Sequence, residues 1–279
     1  MDTTPVDLTE AAAIEAAEAR AWTDLYAACP PAFAAEAGLG TREVAGALVL
    51  SWAATERRYF SRVIGLGVVA EASPEALDDI LHGYGEAGIT MFLLQSLPHC
   101  RPAEYESWLR DRGLEAFDVQ DRVVRDGRPP AEPLPAPDGR EIAVERVTDG
   151  IADEWATFLQ RVYRLDTGPW LQKLIGRPGW SQYVARENGE TVAARGMFIG
   201  PDGTAWFGMD GPVPGLTTKD YAPDAAICAF MVEDGLVQGA TSFIADIEVA
   251  SPDMDTPAHD YFGRLGFGRP YVRTHYARI

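Results

Sequence analysis

Asp255-Thr-Pro-Ala-His-Asp-Tyr-Phe-Gly-Arg-Leu-Gly-Phe267 stands near the end of this 279-residue chain. Pro257 fits a first helical turn, where its fixed φ and missing N–H cost nothing. Gly266 fits the left-handed residue that ends a helix. The spacing predicts a helix over 257–265 and a strand over 271–278. Just upstream, the apolar run 241–249 reads as a buried strand and 224–238 as a helix. The order helix, strand, helix, glycine, strand is that of an α/β unit.

The same order recurs in the first half. Gly88-Ile-Thr-Met-Phe-Leu-Leu94 matches Gly239-Ala-Thr-Ser-Phe-Ile-Ala245, and Trp108-Leu-Arg-Asp-Arg-Gly-Leu114 matches Tyr261-Phe-Gly-Arg-Leu-Gly-Phe267. Gly113 follows Gly88 by 25 residues, and Gly266 follows Gly239 by 27. An internal duplication accounts for this; coincidence between two ordinary α/β units is the alternative. The spacing predicts helices over 8–29, 73–83 and 102–112, and strands over 45–53, 59–69, 89–97 and 116–125. Residues 125–140, RDGRPPAEPLPAPDGR, hold five prolines and two glycines without periodicity, which is linker composition. After it come a strand at 142–146, a helix at 151–162, a short helix at 170–175 and a strand at 204–209. Asn188-Gly189 marks a hairpin between strands at 183–187 and 191–199. The expected organisation is an N-terminal half over 1–126, a linker over 127–140 and a C-terminal half over 141–279. The fold class is α/β (α+β), with two mixed β-sheet halves flanked by helices.

The stretch 255–267 resembles the N-x-x-A-x-x-L-Y-E-R-L-G-F stretch of the GNAT superfamily of acyl-CoA-dependent acyltransferases, with Asp255 in the Asn place. The hairpin Tyr183-Val-Ala-Arg-Glu-Asn-Gly-Glu-Thr-Val-Ala-Ala194 resembles that family's central strand pair. Phe60-Ser-Arg-Val-Ile-Gly-Leu-Gly67 resembles the degenerate first half of its tandem members. The resemblance covers most of the chain. It implies a tandem GNAT-like fold, acetyl-CoA or another acyl-CoA as co-substrate, a small amine acceptor, and an active site in the C-terminal half. It also implies coenzyme A contacts at Asp210, Gly211, Val213, Asp255 and Phe262.

Two departures from the family pattern bear on chemistry. Family members carry Q/R-x-x-G-x-G/A between the fourth strand and the next helix, where backbone N–H groups and the helix N-terminus hold a pyrophosphate. Here the region reads Asp210-Gly-Pro-Val-Pro-Gly-Leu-Thr-Thr-Lys-Asp-Tyr-Ala-Pro-Asp224. Pro212, Pro214 and Pro223 remove donors, Lys219 is the one basic residue in it, and Asp224 brings a carboxylate to the phosphate's place. The tyrosine that protonates the departing thiolate in many relatives is replaced by Phe262. Tyr261, one position earlier, is turned about 100° around the helix. The N-terminal half has no phosphate loop and reads as scaffold.

On the strand 241–249, Asp246 and Glu248 share one face roughly 7 Å apart. Acyl transfer to an amine needs a base for the amine's proton. Asp246 is the first candidate and Glu248 the second; the structural alternative is a carboxylate paired with Arg195, Arg264 or Arg273. His259, expected to face solvent on the last helix, is a third proton-transfer candidate, and His275 is similar. Arg195 interrupts an apolar strand, where a cation either binds an acidic substrate or pairs with an acid. Trp170, Trp206 and Tyr163 are either core or the wall of an acceptor pocket. No HxH, HExxH or CxxC spacing points to a metal.

Charge narrows the partners. With 42 acidic and 24 basic residues the chain carries −18. That argues against nucleic acid, an aminoacyl-tRNA donor included, and against anionic lipid. No apolar run approaches the roughly 18 residues of a membrane span, and the start lacks a signal-peptide layout. Cys29, Cys100 and Cys228 lie far apart, the pattern of reduced cysteines, and Cys228 falls in an apolar helical stretch that predicts burial. A cytoplasmic monomer or homodimer is expected. Besides an acyltransferase, two readings stay open. One is an enzyme of the same fold with a different donor or with lyase, isomerase or hydrolase chemistry; the other is a non-catalytic metabolite-binding protein.

Overall fold

The computed structural model describes residues 1, 3–130, 140–212, 221–251 and 254–279. Most of the expected linker therefore lies outside the described residues. The chain forms two compact units that interleave in sequence. Unit 1 comprises Met1–Thr4, Val123–Ile247 and Asp255–Arg269; unit 2 comprises Pro5–Arg122, Glu248–Met254 and Pro270–Ile279. The last ten residues thus cluster with the first half of the chain.

Unit 2 begins with helix α1 (Leu8–Ala27), capped by Asp7, whose carboxylate accepts from the Glu10 N–H. The helix stops before Pro30, and Pro31 opens a short second helix, α2 (Pro31–Ala37). A hairpin follows, β1 (Leu39–Val44) and β2 (Ala47–Trp52), turned through the left-handed residues Ala45 and Gly46. β1 was not legible in the sequence, because its residues Thr41, Arg42 and Glu43 are exposed on an edge strand. The strand expected over 59–69 shrinks to β3 (Arg62–Ile64). The reason is local: Gly65 and Gly67 adopt φ of 84° and 81°, which ends an extended run. Then come α3 (Pro74–Glu86), N-capped by Ser73, β4 (Leu93–Ser96), α4 (Tyr105–Asp111) and β5 (Glu115–Asp126). The strand order in unit 2 is β1-β2-β3-β4-β11-β5, where β11 is Gly268–Ala277 from the chain's end. Thr274, His275 and Tyr276 pair with Ser96, Gln95 and Leu94.

One face of unit 2 is apolar, with Leu77, Ile80 and Tyr84 of α3 packed on Val49, Val63 and Leu94. Beneath α1 the interior is charged instead. Glu15 and Glu18, both fully buried, meet Arg62, Arg122 and Arg273. The Tyr271 hydroxyl also donates to Glu15, at 2.7 Å. Burial alone would raise the Glu18 pKa, but Arg273, Arg122 and Arg62 hold it well below its ordinary 4.5. Nearer the end of β11, buried His275 lies 3.3 Å from Asp118 through Nδ1 and 3.3 Å from the Gln95 amide through Nε2. A carboxylate only accepts, so Nδ1 carries the proton and Nε2 accepts from Gln95.

Unit 1 holds β6 (Ala143–Arg146), α5 (Ala152–Tyr163), β7 (Trp180–Glu187), β8 (Glu190–Ile199), β9 (Thr204–Pro212), α6 (Ala222–Val237), β10 (Ser242–Val249) and α7 (Pro257–Arg264). The residues expected as a helix over 170–175 form a single 3-10 turn, Leu171–Leu174. Its strand order is β6-β7-β8-β9-β10, with the last residues of β5 beside β10. Asn188 and Gly189 turn the β7–β8 hairpin in the left-handed region, at φ of 53° and 83°. β9 and β10 run parallel, which a crossover through α6 requires.

Candidate functional site

Two irregularities interrupt the unit 1 sheet near the expected site residues. The first is a β-bulge. Ala194 pairs with Gly211 and Gly196 with Gly208, so Met209 and Asp210 together oppose Arg195. Met209 takes φ of 52° to allow it. Bulges re-aim side chains and are common beside active sites. The second is a fork. Among the described residues β9 and β10 pair over Thr204–Trp206 and Ser242–Ile244; β9 then runs on to Pro212 and β10 to Val249.

The bulge directs Asp210 toward Arg195, and four elements converge on that arginine. Arg195 of β8 is 4% exposed, so its charge must be matched inside the protein. Asp224, in the first turn of α6, matches it bidentately. Arg195 Nε donates to one carboxylate oxygen at 2.8 Å and Nη2 to the other at 3.0 Å. Asp210 stands 3.7 Å from the same guanidinium. The Tyr261 hydroxyl of α7 donates to Asp224. The Tyr163 hydroxyl, at the end of α5, donates to the Asp210 backbone carbonyl at 3.1 Å.

Burial opposes the charge on Arg195, yet Asp224, Cys228 and Asp210 hold its pKa well above the ordinary value. Burial and the Asp224 carboxylate push the Tyr261 phenol well up. Burial does the same to the fully buried Cys228 thiol, with Arg195 opposing it. Tyr261 therefore stays protonated and is held by Asp224, which makes it a poor proton donor. Among the described residues Arg195 is the one cation of this cluster, set against two carboxylates. A further anion about 4 Å from either carboxylate would meet roughly 4 kcal/mol of repulsion at an effective dielectric of about 20.

The other expected site residues are placed as follows. Asp246 is partly buried on β10, two residues beyond the paired segment, and belongs to unit 1. Glu248 is exposed and belongs to unit 2, where its charge contributes to raising the Tyr59 pKa, after burial and Asp118. His259 corrects an expectation: it is 4% exposed, and its Nδ1 accepts the Thr256 N–H at 2.8 Å. Its third position in α7 lets the imidazole take the part usually played by glutamate in a capping box. Phe262 is buried between Tyr261 and Phe267. Trp170 and Trp206 are buried too, at 1% and 3%, and the Trp206 indole lies directly over Gly208. Gly211 is buried with a β-carbon's place 2.6 Å from the Val162 side chain. Asp255 is exposed, 3.8 Å from Arg269. Val213 lies outside the described residues.

The pairing of Arg195 with Asp224 was missed in the sequence, although its acid partner was one of the readings. Its signal is faint: a cation inside an apolar strand and an acid in the first turn of a helix 29 residues on. Among the described residues no group of three His, Cys, Asp or Glu could hold a metal ion. No helix among them is long and apolar enough to cross a membrane.

No protein-family model matches the chain, and no curated protein matches it. Solved structures do. A GCN5-related N-acetyltransferase from Kribbella flavida superposes with a TM-score of 0.57 at 14% identity, over 85% of this chain and 88% of that one. The fold is that of the GNAT superfamily. A GCN5-related N-acetyltransferase from Sphaerobacter thermophilus superposes at 0.53, with 15% identity, over 82% of this chain and 79% of its own. A tandem GNAT protein from the clavulanic acid biosynthesis pathway also superposes at 0.53, with 12% identity, over 84% and 78%. The GNAT fold expected from 255–267 and the 183–194 hairpin is thereby shown.

Proposed function

We propose that the protein is an acyltransferase that moves an acyl group from a thioester to a small amine, working at the fork of unit 1. The observation that carries this reading is the parting of β9 and β10 beside the bulge at Met209–Asp210. Parting strands leave main-chain N–H and C=O groups unmatched on their facing edges. An extended, amide-bearing thioester can lie there as an added strand, as peptides add to open sheet edges.

Asp246 lies on the stretch of β10 beyond the fork, partly accessible. It takes the amine's proton, directly or through one water, as the nitrogen attacks the thioester carbonyl. The C–N bond forms, the C–S bond breaks, and the thiol side leaves as thiolate. The Kribbella and Sphaerobacter proteins are named as N-acetyltransferases, which supports acyl transfer at the level of the fold. The family resemblance points to acetyl-CoA or another acyl-CoA as donor and to secondary metabolism in the cytoplasm, whereas the Asp224 carboxylate in the first turn of α6 disfavours a pyrophosphate beside it.

The test is a thiol-release assay with acetyl thioesters and a panel of small amines, run on the wild type and Asp246→Ala. Amine-dependent thiol release that falls at least 100-fold in Asp246→Ala supports the reading. Release that is absent with every thioester, together with no calorimetric binding of any of them up to millimolar concentration, overturns it.

A further inference from the structure

We infer that unit 1 carries a second ligand site, at the end of β5, where Arg125 takes a small carboxylate. The site is independent of the acyl-transfer reading.

Arg125 is 7% exposed. Its Nη2 donates to the Arg128 carbonyl, and among the described residues its Nε and Nη1 have no acceptor. A buried cation without an anion against it is costly to keep. The neighbouring acid does not supply the match. Asp126 accepts from the Arg128 N–H at 2.9 Å and from the Arg128 Nε at 2.6 Å, so its carboxylate is turned to the other arginine. Burial lowers the Arg125 pKa; Asp126 opposes this and Arg128 adds to it.

The surroundings hold the guanidinium in place. A β-carbon on Gly127 would fall 2.8 Å from the Thr241 carbonyl oxygen, so the end of β5 runs tight against the start of β10. The guanidinium carbon stands 5.3 Å from the centroid of the buried Phe243 ring, which gives it an apolar neighbour. A second, independent observation marks the way in. Exposed Gly266 follows α7 at φ of 85°. Among the described residues a β-carbon there would meet one heavy atom within 4 Å, Arg125 Nε at 3.9 Å. The space outside Gly266 is therefore open, and the unmatched N–H borders it.

The chemistry of the ligand follows from these groups. Free guanidinium N–H donors call for an anionic oxygen. Phe243 beside them suits a small apolar group attached to that oxygen's carbon. Asp126 next along the chain, and a net charge of −18, weigh against a doubly charged ion. A singly charged carboxylate meets all three conditions, and phosphate does not.

The experiment follows thermal melting of the full chain in acetate, in phosphate and in chloride at matched ionic strength, for wild type and for Arg125→Met, which keeps the apolar stem. Acetate is expected to raise the wild-type melting temperature saturably, by about 2 °C or more at about 50 mM, with most of that rise lost in Arg125→Met. No rise in the wild type, or the same rise in both proteins, overturns the inference. Phosphate acting at lower concentration than acetate overturns the carboxylate class. Wild-type crystals soaked in bromoacetate give a reading that needs no variant. An anomalous bromine peak beside Phe243 and Gly266 supports the site, and bromine found only elsewhere overturns it.

Discussion

Arg195 on β8 and Asp224 in the first turn of α6 face each other through two hydrogen bonds, 2.8 Å and 3.0 Å long, with the guanidinium almost fully buried. The pair ties the central hairpin to the crossover helix.

The two partners are not equivalent. Asp224→Ala leaves a buried cation with Asp210 as its remaining carboxylate among the described residues, and is expected to destabilise the protein by about 3 kcal/mol. Arg195→Met leaves a carboxylate that keeps some solvent and the helix dipole, and is expected to cost less. Replacing both together, as Arg195→Met with Asp224→Leu, is expected to recover much of the loss. Urea unfolding of the three variants reads this directly; equal losses in both single variants would contradict it.

Gly208 offers a packing test. A β-carbon there would fall 2.0 Å from the Trp206 ring. Trp206 is held against Trp180, with ring centroids 6.3 Å apart, so it has little room to move. Gly208→Ala is expected to cost about 1–3 kcal/mol through overpacking. A thermal melt unchanged from wild type would show that the indole moves freely.

Acid stability is expected to depend on Glu18. Its folded pKa is depressed by three arginines, so its contribution is present above its ordinary value of 4.5 and is lost as pH falls through the lower folded value. The protein should therefore lose stability below about pH 4.5. In Glu18→Gln this acid-dependent component should vanish, on top of a constant loss from three buried arginines deprived of a partner. Urea midpoints measured from pH 7 down to pH 3 give both quantities.

His275 makes a second, separate contribution. Burial, with Arg273 and Arg62 beside it, lowers its pKa from 6.5 against the pull of Asp118. The neutral ring is thus favoured in the folded state. Its contribution is full above about pH 6.5 and declines as pH falls from there toward the lower folded value. His275→Gln is expected to flatten the stability profile below pH 6.5, which chemical denaturation between pH 7.5 and 5 would show.

If Asp246 is the base, its effect is chemical. Asp246→Ala is expected to lower the rate of acyl transfer by at least 100-fold with a change in unfolding midpoint too small to explain it. Glu248→Gln, on the far side of the strand's division between units, is expected to change the rate less than tenfold. The reverse ranking in a thiol-release assay would move the base to Glu248.

The sequence by itself determined the elements that local rules specify. The helix ends at Ser73, Pro257 and Gly266, the hairpin at Asn188-Gly189 and the buried run of β10 could all be read. In each, a few neighbouring residues settle the backbone through capping, turn geometry or hydrophobic period. The order of those elements already pointed to the fold that the solved structures share. Only the tertiary structure decided what the charges do. Glu15 and Glu18 sit on the same helical stripe as Ala11, Trp22 and Leu25, so their burial was within reach of the spacing. Their partners were not, because Arg62, Arg122 and Arg273 come from three strands far apart in the chain. The same holds at the site, where Arg195, Asp224 and Tyr261 meet only after two crossovers have been packed. Local backbone preferences act over a few residues, whereas a buried charge must find its partner through the whole fold, since leaving it unmatched in low dielectric costs more than any local preference can offset.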